Sequence, residues 1–110
     1  MDQRKAKNFR QSKSFRVLKR AMLENLSERG LDQAVYADKV EEYLDFWVLQ
    51  QELKADIARR GLTVTDDRGR QTENRSVSLA VQVSGQMMAL FNAMGFKTSD
   101  FVEAGDGDVL

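Results

Sequence analysis

A chain of 110 residues has room for one hydrophobic core and little more, so a second domain is not expected. It contains no Cys and no His, which removes disulfides, thiolate chemistry, the usual general base near neutral pH and the commonest metal ligand. The formal net charge of zero conceals two opposed blocks: residues 1–20 carry eight Lys and Arg against Asp2, while the rest carry nine against sixteen acids. Such asymmetry points to a polyanion at one end, or to self-association between unlike ends.

Residues 1–11 are polar and read as a flexible basic arm bearing Arg4, Lys5, Lys7 and Arg10. A first helix is expected from Ser12 or Ser14, either of which can cap it, to Arg29, with Gly30 as its stop. Phe15, Leu18, Met22 and Leu26 recur at helical spacing on one face, and Lys13, Arg16 and Arg20 fall opposite. The absence of Pro favours further long helices.

Asp32 is the expected cap of a second helix running to about Arg60 and ending at Gly61. Tyr36, Val40, Tyr43, Leu44 and Trp47 form one apolar stripe of it, and Val35, Phe46, Leu53 and Ile57 form another. Asp38, Glu41, Asp45, Glu52 and Asp56 share the remaining face, where solvation is the ordinary role of a carboxylate. Two stripes fit either a helix packed on both sides within one chain or a helix that gives one stripe to the core and the other to a neighbouring subunit.

Leu62–Thr65 has strand character and Asp67-Arg68-Gly69 supplies turn residues, so a short hairpin is expected near 62–73. Asp66 and Asp67 lack a third ligand at metal spacing and read as a solvated turn. Asn74 then caps a third helix, from Arg75 to about Met94. Its apolar face comprises Leu79, Ala80, Val83, Met87, Leu90, Phe91 and Met94. Ser78, Gln82, Gly85, Gln86, Ala89 and Asn92 occupy the other side, with no charge where a solvent-facing helix usually carries Lys and Glu. That side reads as a contact with another helix or a symmetry mate, or else as a polar face that merely lacks charge. The uncharged run Ser76–Phe96 is long enough to span a membrane, but its frequent Ser, Gln and Asn side chains make it a helix buried by protein. Residues 102–110 read as a flexible acidic tail, leaving 12–101 as a single helical domain.

No phosphate-cradling glycine loop and no nucleophile–base pair is legible, and no cofactor site is predicted. The chain reads as a binding and assembly protein, not an enzyme. No apolar segment follows the N-terminal charges as a secretory signal would, so the expected compartment is the cytoplasm.

The order of parts carries a resemblance. A basic helix precedes "YLDFWVLQQELKADIARRGLTV", a glycine-bearing hairpin leads through "DDRGRQTEN" to an Asn cap, and an uncharged helix ends in "LFNAMGF". From about Leu18 to Phe101 this resembles the small subunit of tailed-phage terminases. Two departures stand out: Arg75 follows the Asn cap where relatives often have Pro, and "GFKTSDF" replaces a Gly-Leu-Thr-Pro-like segment. The resemblance implies a non-catalytic protein that forms a closed ring, binds double-stranded viral DNA and regulates the ATPase and nuclease of the large terminase subunit, in the host cytoplasm. Joined to the charge and stripe pattern of this sequence, those roles place DNA contact at Arg4, Lys5, Lys7, Arg10, Lys13, Arg16, Lys19 and Arg20, and subunit contact at Tyr36, Tyr43, Phe46, Trp47, Gln82 and Gln86. Two other readings fit the residues alone: a dimeric helical transcription regulator, and an adaptor whose basic arm docks on an acidic protein.

Overall fold

The computed structural model describes residues 8–101. Arg4, Lys5 and Lys7, and the acidic segment 102–110, lie outside the described residues. The fold is mainly α, with three helices and one short hairpin, as the sequence pattern predicts.

The chain enters through a 3-10 turn, Phe9–Gln11, held by Asn8, whose side chain accepts from the Arg10 N–H. Ser12 then caps α1 (Lys13–Glu28), its hydroxyl accepting from the Phe15 N–H at 3.1 Å. The four residues of the predicted face, Phe15, Leu18, Met22 and Leu26, are all buried. Each contributes about 2 kcal/mol by leaving water.

The second helix, α2, spans Ala34–Arg60. Asp32 does not cap it. The helix begins two residues later, behind Gln33, whose side chain makes no capping bond. Of its two stripes, Val40, Tyr43, Leu44 and Trp47 are buried and Tyr36 half-buried. The second stripe is divided: Leu53 is buried, Phe46 and Ile57 are half-buried, and Val35 is exposed. Phe15 meets Trp47 edge-on with ring centroids 5.9 Å apart, and Lys19 reaches Glu41 at 2.9 Å, so α1 runs antiparallel to α2.

Strands β1 (Thr63–Thr65) and β2 (Gln71–Glu73) pair antiparallel, with Val64 opposite Thr72. Asp66 is more than a solvated residue of the turn between them. Its carboxylate accepts from the backbone N–H groups of Arg68 and Arg70, both at 2.9 Å, and these bonds hold its pKa below the usual carboxylate range.

The hairpin reverses the chain into α3 (Arg75–Ala93), capped by Asn74 as predicted. Tyr43 faces Phe91 and Gln50 meets Ala80, so α3 returns antiparallel along α2. Within α3 only Ser76 and Val83 are buried, because a single helix covers it; Leu79, Met87, Leu90 and Phe91 of its apolar face are half-buried. Among the described residues no helix is long and apolar enough to cross a membrane.

Beyond α3, Thr98–Phe101 forms a 3-10 turn despite the departure of this segment from the pattern of the resembled family. Phe101 is buried against Phe91 and Phe96, with centroids 5.7 and 5.1 Å away. Arg29 joins the ends of α1 and α3, donating to the Met94 carbonyl at 2.7 Å and stacking over the Phe96 ring. Gly95 makes that approach possible: its φ is +74°, and a Cβ there would stand 2.9 Å from the Arg29 guanidinium.

Candidate nucleic-acid interface and subunit surfaces

Because α1 buries one stripe, its opposite side carries cations outward. Lys13, Arg16 and Arg20 are exposed, as is Arg10 on the preceding turn, and Lys19 is half-buried at the edge of the row. Arg10, Arg16, Lys19 and Arg20 line a shallow concavity of about 410 Å³ with Phe15, Leu23 and a single acid, Glu24. This juxtaposes four cations over an apolar floor, a surface suited to contacting phosphates with Lys and Arg.

The five predicted DNA-contact residues that fall in the described region are not equivalent. Arg10 pairs with Asp45 of α2 and lies over the Phe15 ring, 6.0 Å from its centroid. Lys19 pairs with Glu41 at 2.9 Å. Arg16 donates to the Gln11 carbonyl at 2.7 Å, so it clamps the turn to the helix while keeping its charge unpaired. Lys13 and Arg20 have no ion-pair partner among the described residues.

The residues given to subunit contact separate into two groups. Tyr43 and Trp47 are buried in the core of the chain, and burial raises the Tyr43 pKa. Tyr36 and Phe46 are half-buried, while Gln82 and Gln86 are exposed on α3. Tyr43 and Trp47 also line a groove of about 830 Å³ between the first turn, α2 and α3, together with Phe9, Met87 and Phe91.

One polar cluster escapes a residue-by-residue reading. Asp56 is not on a solvated acidic face; its side chain is 17 % exposed and accepts from Arg60 at 2.8 Å, the Ser76 hydroxyl at 2.7 Å and the Asn74 amide at 3.3 Å. Asn74, fully buried, also donates to the Gly61 carbonyl at 2.9 Å and caps α3 through Ser76. The bonds from Arg60 and then Ser76 hold the Asp56 pKa far below the usual carboxylate range. Its four-residue spacing to Arg60 was a legible signal. The bonds to Asn74 and Ser76 needed the hairpin to close first. The cluster fixes where α3 starts relative to α2, and among the described residues no group of three or more acids is placed to hold a metal.

Fold and surfaces together define a small helical protein, with a cationic face on α1 and an uncharged face on α3. Comparison with known families makes this specific. Residues 4–101 match the family model described as "Phage terminase, small subunit", and the chain belongs to that family, whose role is in phage genome packaging. Comparison with curated proteins and with solved structures gives no match to either.

Proposed function

We propose that this protein is a non-catalytic, ring-forming subunit that binds double-stranded phage DNA and regulates the ATPase and nuclease of the large terminase subunit in the host cytoplasm. The observation that carries the DNA reading is the outward face of α1, where Lys13, Arg16 and Arg20 are exposed and free of ion pairs among the described residues. Arg4, Lys5 and Lys7 extend the same charge toward the N-terminus. A ring would repeat this face in every subunit and sum many phosphate contacts that are individually weak. Nothing in the row resembles a base-reading arrangement, so affinity is set by salt far more than by sequence; six phosphate contacts give a log–log salt slope of roughly −5.

The test compares Lys13→Glu/Arg16→Glu/Arg20→Glu with deletion of residues 1–10 in DNA titrations over a range of salt. Expected is a loss of binding and a shallower slope in at least one variant, with assembly unchanged; the variant affected identifies helix or arm. Parental affinity and slope in both would overturn the DNA assignment. For regulation, the protein added to its large subunit is expected to change that partner's ATPase or nuclease rate. Equal rates at saturation would argue against the packaging regulator, and a stable dimer in light scattering would favour a transcription regulator.

A further inference from the structure

Beneath the groove between α2 and α3 lies an unmet hydrogen-bond acceptor. Gln50 lines the groove, is 8 % exposed, and spends its Nε2 on the Ala80 carbonyl at 3.1 Å. Its Oε1 is buried and has no donor among the described residues. A buried amide oxygen without a partner is costly and is usually satisfied by an N–H from somewhere.

The apolar wall of the groove continues outward over α3, where Met88 and Val81 are 58 % and 69 % exposed. Beside them lies Gly85, mid-helix, where Gly is less favourable than Ala. Among the described residues nothing requires it: a Cβ at Gly85 would meet no atom within 4 Å. A bare backbone on an exposed, uncharged face permits close approach by another backbone.

We infer that the groove of one copy receives the outer face of α3 from a second copy, head to tail. This rests on the ring reading above and assigns its contact. Charge selects the occupant. The outward face of α1 is cationic and that of α2 acidic, and seating either over Tyr43 and Trp47 would strip its charges of water. The α3 face has no charge from Ser76 to Phe96, offers Val81 to the aromatic floor, and carries the Gln82 and Asn92 amides, which can donate to Gln50 Oε1 once that amide turns toward the groove. The groove floor of Tyr43 and Trp47 and the entering face of Val81, Gln82 and Gly85 are different surfaces that border each other at Met88, so the contact is heterologous, the kind that can close into rings.

The chain has no Cys, so single thiols can be placed at will. Lys54→Cys sits on the groove rim and Ala89→Cys on the outer face of α3, both at exposed positions. With a short bis-maleimide, a mixture of the two full-length variants is expected to give covalent dimers at least tenfold above either variant alone. Gly85→Arg is expected to keep the parental helix content while weakening association at least tenfold in light scattering. If the parent assembles but the mixture gives no excess, or either single variant cross-links as well as the mixture, the groove-to-α3 contact is overturned and the ring reading stands. Gly85→Arg that assembles like the parent yet no longer alters the large subunit's rates would also overturn it, making this surface a docking site for that partner. A parent that stays monomeric overturns both.

Discussion

Two sets of ion pairs, built from the same residue types, occupy opposite environments. Between α1 and α2, Arg10 meets Asp45 and Lys19 meets Glu41 in the open, the Asp45 side chain being 62 % exposed. At the far end of α2, Asp56 meets the exposed Arg59 and Arg60 guanidinium groups while its other bonds go to the buried Asn74 and Ser76, and its own side chain is 17 % exposed. Water and salt compete freely with the first set, so a phosphate can replace its carboxylates at little cost. In the second set the guanidinium groups reach solvent, but the Asp56 carboxylate, the Asn74 amide and the Ser76 hydroxyl are largely buried, so removing one of these three leaves the other two facing inward short of a partner. Under the proposed function, ion pairs on the α1 side are therefore open to exchange with phosphates, and those at the hairpin end are a structural joint. The lesson is that solvent access, more than the pairing itself, decides what a salt bridge does.

The largest expected effect lies in the joint. Asn74→Ala removes the cap of α3 and the bonds to Gly61 and Asp56 at once, and is expected to cost about 3 kcal/mol in denaturant unfolding at fixed protein concentration. A loss below about 0.5 kcal/mol would dissolve the distinction between the two regions.

The pH dependence sharpens it. Asp56 has a folded pKa far below the unfolded carboxylate value of about 3.9. Its contribution is thus fully present above that value and is lost progressively as pH falls below it toward the folded pKa. Unfolding midpoints measured from neutral to acid are expected to fall less steeply below about pH 4 for Asp56→Asn than for the parent, after starting lower at neutral pH. Parallel curves would mean that Asp56 titrates alike in folded and unfolded chains.

On the open side the effects are small. A double-mutant cycle on Lys19→Ala and Glu41→Ala is expected to return a coupling of about 0.2–1 kcal/mol, shrinking with added salt. A value near 3 kcal/mol would make this pair a joint as well.

The smallest predicted change is a gain. Glu41→Gln with Asp45→Asn releases Lys19 and Arg10 from their carboxylates and is expected to tighten DNA binding a few-fold at low salt, leaving stability within about 0.5 kcal/mol. Unchanged DNA affinity would remove Arg10 and Lys19 from the proposed interface.

What the sequence determined by itself was whatever one segment can decide from its own neighbours. The buried face of α1, the Asn74 cap and the hairpin after Gly61 follow from helical spacing, side-chain capping and turn residues, while the sequence left the α1 cap open between Ser12 and Ser14. The Asp32 cap failed on the same ground, since Gln33 starts the helix without a side-chain bond and nothing local forbids that. The tertiary structure decided the rest. It chose which stripe of α2 became core, left α3 half-covered, paired α1 cations with α2 acids, and moved Asp56 from a solvated row into a joint with residues eighteen and twenty positions away. Periodicity fixes which side chains share a face, but a partner across the fold exists only once two helices have packed at a particular register, and that register is a property of the whole core.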